Sequence, residues 1–433
     1  MHIFFSGIGG TAIGPLALIA KQAGYTVSGS DKQDSQYIRY LRGQGIHRIH
    51  IGQTREAIAA VHDSHPIDWF VYTSALPLEN PGSPELAFCR AQGIQMSKRD
   101  ELLNLIIQDK KLQLIAIAGT HGKTTTTAMA VWLFQQLDVP VSYSLGGKIS
   151  FGEMGQYTPG SKYFVYEADE FDRNFLSFRP RIALIAGIDW DHPDIYPTRE
   201  SYNDAFREFL EQSAAAVLWQ DDAEVLELST QDTPEYVLLD KDDPHISTRI
   251  TLAGLVNRQN AWLVAQAVHR LTGQPLGRLI AHLNTFPGVS RRFEQIIPGL
   301  ITDYAHTPAK IRGALQLAHE VAGNNVVVIY EGLHNTRQHF IKDDLRNLFG
   351  GVKHLYIVPS YLAREDTNLP LLAPDDLRQL LNPEIQSIAT PAVLDGQLAA
   401  AIRHHLQKND LVLCLTAGGG NSLDEWLRKE FQP

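Results

Sequence analysis

Gly119-Thr120-His121-Gly122-Lys123-Thr124-Thr125-Thr126-Thr127 is the stretch on which the reading of this chain turns. An apolar run, 112–118, leads into it, and an apolar-rich segment, 128–137, follows. The first is short enough for a buried parallel strand, and the second is long enough for a buried helix. A strand, a glycine turn and Gly-Lys-Thr opening a helix form the arrangement that cradles phosphates. Free backbone N–H groups at the helix start, together with its dipole, attract polyphosphate. Lys123 would reach the β- and γ-phosphates of ATP, and the Thr124 hydroxyl would ligate Mg²⁺. The full P-loop pattern also asks for a glycine five residues before Gly122, where this chain has Ile117.

Length and composition bound what surrounds this stretch. A chain of 433 residues is too long for one ordinary core, so two to four domains are expected. Apolar content of 44% with 20% charged residues describes a soluble globular protein. The net charge of −10, with no long basic run, argues against a nucleic-acid or membrane-surface binder. No signal peptide or transmembrane run is evident, and Cys89 and Cys414 lie far apart in no metal or redox pattern. Reduced, buried thiols in a cytoplasmic protein are the expectation.

Upstream, Ile3-Phe4-Phe5-Ser6-Gly7-Ile8-Gly9-Gly10-Thr11-Ala12-Ile13-Gly14 reads as a strand, a glycine turn and a helix. A second strand, 25–28, is followed by Asp31. This fingerprint serves NAD, FAD or a UDP-sugar equally, and a structural glycine turn satisfies it too. Strand, helix and strand alternate to about residue 111, with Thr73-Ser74-Ala75 at a strand's carboxyl end.

Downstream, strand 163–166 runs into Glu167-Ala168-Asp169-Glu170, and strand 182–188 into Asp189-Trp190-Asp191-His192. Acids at strand ends beside a P-loop suit Mg²⁺, which needs only one or two carboxylates. Glu167 is the favoured ligand; Asp172 and Asp189 read as turn or cap residues. Asn257 and Asn260 lie at a helix start, and Asn260 would cap it or contact a base. Arg291-Arg292 would neutralise transferring charge or form a surface pair. The last segment carries strands at 300–304, 325–330, 354–358 and 410–415, with polar clusters at 303–306, 331–337 and 416–421. The expected fold is therefore α/β in three domains: Rossmann-like (1–111), P-loop ATPase-like (112–297) and Rossmann-like (298–433).

In this order, Gly-Ile-Gly-Gly, Ala-Gly-Thr-His-Gly-Lys-Thr-Thr-Thr-Thr, Glu-Ala-Asp-Glu, Asp-His, Arg-Arg-Phe and Asp-Tyr-x-His resemble the motifs of the Mur ligases of peptidoglycan synthesis. Within that family the alanine-adding branch is the most similar. The resemblance implies ATP and Mg²⁺ as cofactors and UDP-N-acetylmuramate and L-alanine as substrates, with a monomer or homodimer and no nucleic acid or membrane partner. It implies UDP-sugar contacts at Gly7, Gly9, Gly10, Gly14, Asp31 and Ser74. It implies ATP contacts at Gly119, Thr120, His121, Gly122, Lys123, Thr124, Thr125, Asn257, Asn260 and Arg292. Thr124, Glu167 and His192 would hold metal. Lys123, His192, Arg292, Asp303 and His306 would serve the chemistry, and Tyr304, His306 and Arg337 the incoming amino acid.

Three positions depart from that branch. Val256 stands for a histidine, Ala186-Gly187 for Thr-Asn, and Gly332-Leu333-His334 for Pro-His-Arg or Pro-His-Thr. The segment 331–338 also resembles the muropeptide-recycling ligases, which attach a whole tripeptide. A non-catalytic nucleotide-sensing relative is the further alternative. Either His306 or Asp303 would take the proton of the attacking amine. Closure about hinges near 111 and 298 would keep water from the activated carboxylate.

Overall fold

The structure is a computed structural model that describes residues 1–11, 13–73, 76–77, 80–191, 195–228, 235–362, 365–366, 368–416 and 421–432. His192, Ser74 and the glycine run 418–420, all singled out above, lie outside these residues. The expected α/β fold is present, built on three sheets.

The first sheet contains β1 (His2–Ser6), β2 (Thr26–Asp31), β3 (Ile49–Ile51), β4 (Trp69–Tyr72) and β5 (Gln95–Lys98) in the order β3-β2-β1-β4-β5, parallel throughout. Every residue of β1 is buried, as expected for a strand covered on both faces. The order reverses between β1 and β4, and the glycine turn follows β1. Open parallel sheets bind ligands at such a switch point.

The second sheet contains β6 (Gln113–Ala118), β7 (Val141–Ser144), β8 (Gly155–Gln156), β9 (Tyr163–Glu167), β10 (Ile182–Ile185), β11 (Ala215–Trp219) and β12 (Glu235–Leu239). Its order is β12-β11-β10-β6-β9-β7-β8, and only the β7–β8 pair is antiparallel. The P-loop strand β6 lies in its middle. Ile117 pairs with Glu167 on one side and Ala118 with Ile185 on the other. This register sets the last residue of β9 level with the start of the phosphate turn.

The third sheet contains β13 (Glu294–Ile297), β14 (Leu300–Asp303), β15 (Val326–Leu333), β16 (His354–Tyr361), β17 (Ala389–Pro391) and β18 (Leu411–Leu415). Its order is β13-β14-β18-β15-β16-β17, and all pairs except β13–β14 are parallel.

Two compact units result. Residues 1–250 and 260–286 carry the first two sheets; 251–259 and 287–433 carry the third. The first unit is continuous across residue 111: one apolar cluster joins Ile3 and Phe5 of β1, Leu102 and Ile106 of the helix Arg99–Asp109, and Leu114 and Ala116 of β6. The two layers also touch where the helix Ile13–Gln22 meets β8. A Cβ on Gly155 would lie 2.8 Å from Pro15 Cβ, so only glycine permits that approach. In the second unit, β13 pairs with β14 across residue 298.

Strand limits differ from expectation in two informative places. β10 stops at Ile185, past its last pair with β11, although Ala186 N–H still donates to Ala118 O and Gly187 O accepts from Thr120 N–H (2.9 and 2.8 Å). β15 runs on through Glu331, Gly332 and Leu333, all buried, where a polar loop was expected. Both cysteines are free and buried. No helix among the described residues is long and apolar enough to cross a membrane.

Candidate active site

The phosphate turn is shaped by two glycines with positive φ, Gly119 (134°) and Gly122 (78°). A Cβ on Gly119 would lie 2.9 Å from Gly187 O, so the turn can pack on the loop after β10 only without one. The helix Lys123–Gln136 starts immediately afterwards, and no side chain caps it. Its first amides are thus directed at the space a phosphate would fill.

Lys123 Nζ donates to Gly119 O at 2.6 Å and to both oxygens of Glu170 at 2.7 and 2.9 Å. Glu170 is 1% exposed at its side chain and Lys123 15%. Burial works against the Lys123 charge, but Glu170, Asp169 and Glu167 hold its pKa above the usual lysine value. The Thr124 hydroxyl donates to Glu167 at 2.8 Å, and Gly146 N–H donates to the other Glu167 oxygen at 2.6 Å. A hydroxyl and a carboxylate side by side are hard oxygen donors that fit Mg²⁺.

Thr120, counted above among ATP contacts, has its hydroxyl engaged elsewhere: it donates to Asp189 O at 2.5 Å and accepts from Asp189 N–H at 2.8 Å. It staples the loop after β10 beneath the turn. His121 Nε2 lies 3.7 Å from Asp189 Oδ2 and holds the Asp189 pKa below the ordinary carboxylate value. Thr125 is half-buried on the first helical turn. Asn260, buried in the helix Leu255–Thr272, sets its amide within 3.1 Å of the position a Gly122 Cβ would take. Asn257 instead donates to Ala253 O at the start of its own helix (2.9 Å).

At the N-terminal turn, Gly7 has φ of 75° and its carbonyl accepts from Gly10 N–H at 3.0 Å. A Cβ on Gly14 would lie 2.8 Å from Ile8 O. Asp31 braces the turn by accepting from Gly9 N–H at 2.8 Å. Beneath it, fully buried Glu85 accepts from the Ser6 and Ser30 hydroxyls at 2.6 and 2.5 Å. Burial raises the Glu85 pKa and the two serines oppose that rise. A cavity of about 230 Å³ is lined by Thr11 beside this turn, by Arg99, Asp100 and Tyr166, and by Glu167 and Asp169 of the acidic motif.

In the second unit, Arg292, Asp303, Tyr304 and His306 are brought together. Arg291 and Phe293 both have positive φ (59° and 48°), which folds 290–293 back onto the end of β14. There Phe293 N–H donates to Asp303 at 2.8 Å and Tyr304 N–H to Arg291 O at 2.9 Å. Both guanidinium groups lie over the Tyr304 ring, at 4.8 and 5.1 Å. The His306 ring is 4.7 Å from that of Tyr304. Burial, then Lys310, Arg337 and Arg292, push the His306 pKa well below its ordinary value, so the ring is neutral at pH 7. Burial raises Asp303 to about 6 against the pull of Arg292, Phe293 N–H and Lys310. Arg337 is half-buried on the helix Asn335–Leu345. Ahead of it, a Cβ on Gly332 would lie 2.7 Å from Gln338 Cδ, so a larger residue there requires the Gln338 side chain to move.

Residues 2–111 match the Mur ligase family catalytic domain, and residues 117–264 match the Mur ligase middle domain. A UDP-N-acetylmuramate–L-alanine ligase of Clostridium beijerinckii is 30% identical over 457 residues, covering 96% of this chain and 95% of the relative. The chain belongs to the Mur ligase family. A UDP-N-acetylmuramate–L-alanine ligase of Agathobacter rectalis is 28% identical over 99% of this chain and 98% of its own length. Among solved structures, the UDP-N-acetylmuramate–alanine ligase of Thermotoga maritima superposes with a TM-score of 0.72 at 24% identity, covering 100% of this chain and 98% of that one. A murein peptide ligase of Psychrobacter arcticus shares the fold at a TM-score of 0.64 and 21% identity, over 100% and 98% of the two chains.

Sequence reasoning missed four participants. Glu170 was read as part of the acidic motif but given no task; its role comes from a turn that carries it back to Lys123. Glu85 follows Ser83-Pro84, a helix-start signature that predicts an exposed acid, yet the sheet buries it. Arg99 and Asp100 open a helix and carried no signal at all. One consequence of the Lys123 pair is measurable. Glu170→Gln leaves a buried ammonium short of its main partner, at a cost of about 3 kcal/mol. The melting temperature of the nucleotide-free variant should fall, and a non-hydrolysable ATP analogue should raise it by more than it raises the wild type. Thermal shift with and without the analogue checks this.

Proposed function

We infer that this Mur ligase joins L-alanine to the lactyl carboxylate of UDP-N-acetylmuramate with cleavage of ATP, in the cytoplasm. The reading is carried by Lys123 and Thr124 at an uncapped helix start beside Glu167. It draws on relatives named for that reaction at 28–30% identity over nearly the whole chain. The glycine turn braced by Asp31 would take the UDP portion, and the phosphate turn the triphosphate. Thr124 and Glu167 would hold Mg²⁺, which supplies charge neutralisation on the phosphates. Arg292, Tyr304, His306 and Arg337 would serve the incoming amino acid, whose carboxylate suits a cluster rich in guanidinium groups.

Joining an amine to a carboxylate in water needs an activated carboxylate. A lactyl oxygen attacks the γ-phosphorus, ADP leaves, and an acyl phosphate remains. Lys123 spreads the charge that develops on the phosphoryl oxygens. The neutral amine then attacks the acyl carbon, a tetrahedral intermediate forms, and inorganic phosphate departs with the amine proton lost to a base. Between the two candidate bases, Asp303 suits the task better: a pKa raised to about 6 leaves it ionised yet basic near neutrality, while His306 is held far less basic. No side chain becomes covalently attached. Water would have to be kept from the acyl phosphate until the amine attacks.

Incubation with UDP-N-acetylmuramate, ATP and Mg²⁺ plus L-alanine, glycine, L-serine or the tripeptide tests this by product mass. The alanyl adduct should form with wild type and vanish with Lys123→Ala. An adduct with the tripeptide alone would assign the recycling reaction instead, and no adduct at all would remove the ligase reading. Because the base must be ionised, kcat/KM should fall as pH drops through about 6. Asp303→Asn should lose about 10²–10⁴ in rate together with that acid limb.

A further inference from the structure

Asp100 is 3% exposed and lines the cavity of about 230 Å³ between the glycine turn and Glu167. It stands in the first turn of the helix Arg99–Asp109, where a carboxylate is favoured by the dipole. That placement alone would explain an acid whose oxygens are both taken up by the protein. Here only one is. Oδ1 accepts from the Tyr166 hydroxyl at 3.1 Å and faces Arg99 Nε at 3.4 Å. Oδ2 has no hydrogen-bond partner among the described residues. A buried acceptor without a donor is rare and costly, and it marks a place where another molecule completes the arrangement. Burial raises the Asp100 pKa, and the Arg99 guanidinium and the Tyr166 hydroxyl oppose that rise; in the carboxylate form Oδ2 is an acceptor.

The lining sets what can approach. Glu167 and Asp169 are acids like Asp100, and Arg99 is braced between Asp100 and Asp169, whose Oδ2 lies 3.4 Å from its guanidinium. An anionic group would be repelled from the Asp100 end. A neutral group bearing O–H or N–H would not. A sugar ring with hydroxyls and an acetamido N–H is such a group, and it lies between the UDP and carboxylate ends of the proposed substrate.

We propose that Asp100 is a specificity-determining residue of this ligase, its free oxygen accepting a hydrogen bond from the sugar of the bound sugar nucleotide. The assignment rests on the substrate reading above. Tyr166 acts as a positioning residue that holds the carboxylate at the cavity wall through Oδ1.

Calorimetric titration of UDP-N-acetylmuramate and of UDP into the full chain tests it. Asp100→Asn keeps size and the Tyr166 contact but sets an N–H where an acceptor is required. Its affinity for UDP-N-acetylmuramate should fall about tenfold, with affinity for UDP, affinity for a non-hydrolysable ATP analogue and melting temperature unchanged. Tyr166→Phe should weaken sugar-nucleotide binding by a smaller factor, again without touching UDP. An Asp100→Asn variant binding UDP-N-acetylmuramate within twofold of wild type would overturn the proposal. So would an equal loss for UDP, which carries no sugar at that position. If wild type binds UDP but not UDP-N-acetylmuramate, the substrate reading falls, and this assignment with it.

Discussion

A lysine ammonium enclosed by protein at the positive end of a helix dipole has to be neutralised, and the architecture around Lys123 answers that constraint. The helix start cannot do it, since its own amides are positive. Glu170 can, because the turn after β9 brings it back against Nζ. The arrangement holds the cation in place beside the first amides of the helix. On the proposed reading, a triphosphate would offer the same negative charge that Glu170 supplies, so the lysine would turn to it without being left unpaired. The acid at the end of β9 and the hydroxyl that opens the helix then stand together as a second pole of the site.

The sheets serve this constraint by register. β6 sits between β9 and β10, so that Glu167 on one side and the Ala186–Asp189 loop on the other reach the same level as the turn. Thr120 fixes that loop by its hydroxyl, and Gly119, lacking a Cβ, lets the two segments touch. The first sheet adds a glycine turn at its switch point, tied by Asp31, and shares an apolar core with the second. The second unit keeps its own cluster around Tyr304, in which burial raises the pKa of Asp303 and lowers that of His306, while the nearby cations Arg292 and Lys310 pull both down.

Much of this was legible in the residues. Apolar runs ending at glycine turns identified β1 and β6, and Asp303-Tyr304-x-His306 was read as one cluster. Local pattern carried those, because each is contiguous in the chain. What escaped depended on distant partners. β15 continues through Glu331-Gly332-Leu333 because Glu331 accepts from Leu423 N–H and Gly332 leaves room for Gln338, neither visible in a local window. β10 ends three residues early: its pairing with β11 stops at Leu184, and the next residues follow the phosphate turn through Ala118 and Thr120. β11, wholly buried and flanked by no motif, went unremarked. Glu85 and Asp100 were hidden for the same reason: an acid in the first turn of a helix looks solvated until the fold covers it. The departure at Gly332 lies at a close approach to Ser360 and Gln338, and Gly187 takes a positive φ of 151° that side chains rarely adopt.

A crystal structure of the chain with a non-hydrolysable ATP analogue and Mg²⁺ tests the central claim most directly. The account predicts β- and γ-phosphate density on the amides of Gly122, Lys123 and Thr124, Nζ of Lys123 within hydrogen-bond distance of a phosphate oxygen, and the metal between Thr124 and Glu167. Phosphates bound elsewhere, with Lys123 still held by Glu170 and Gly119 alone, would contradict it.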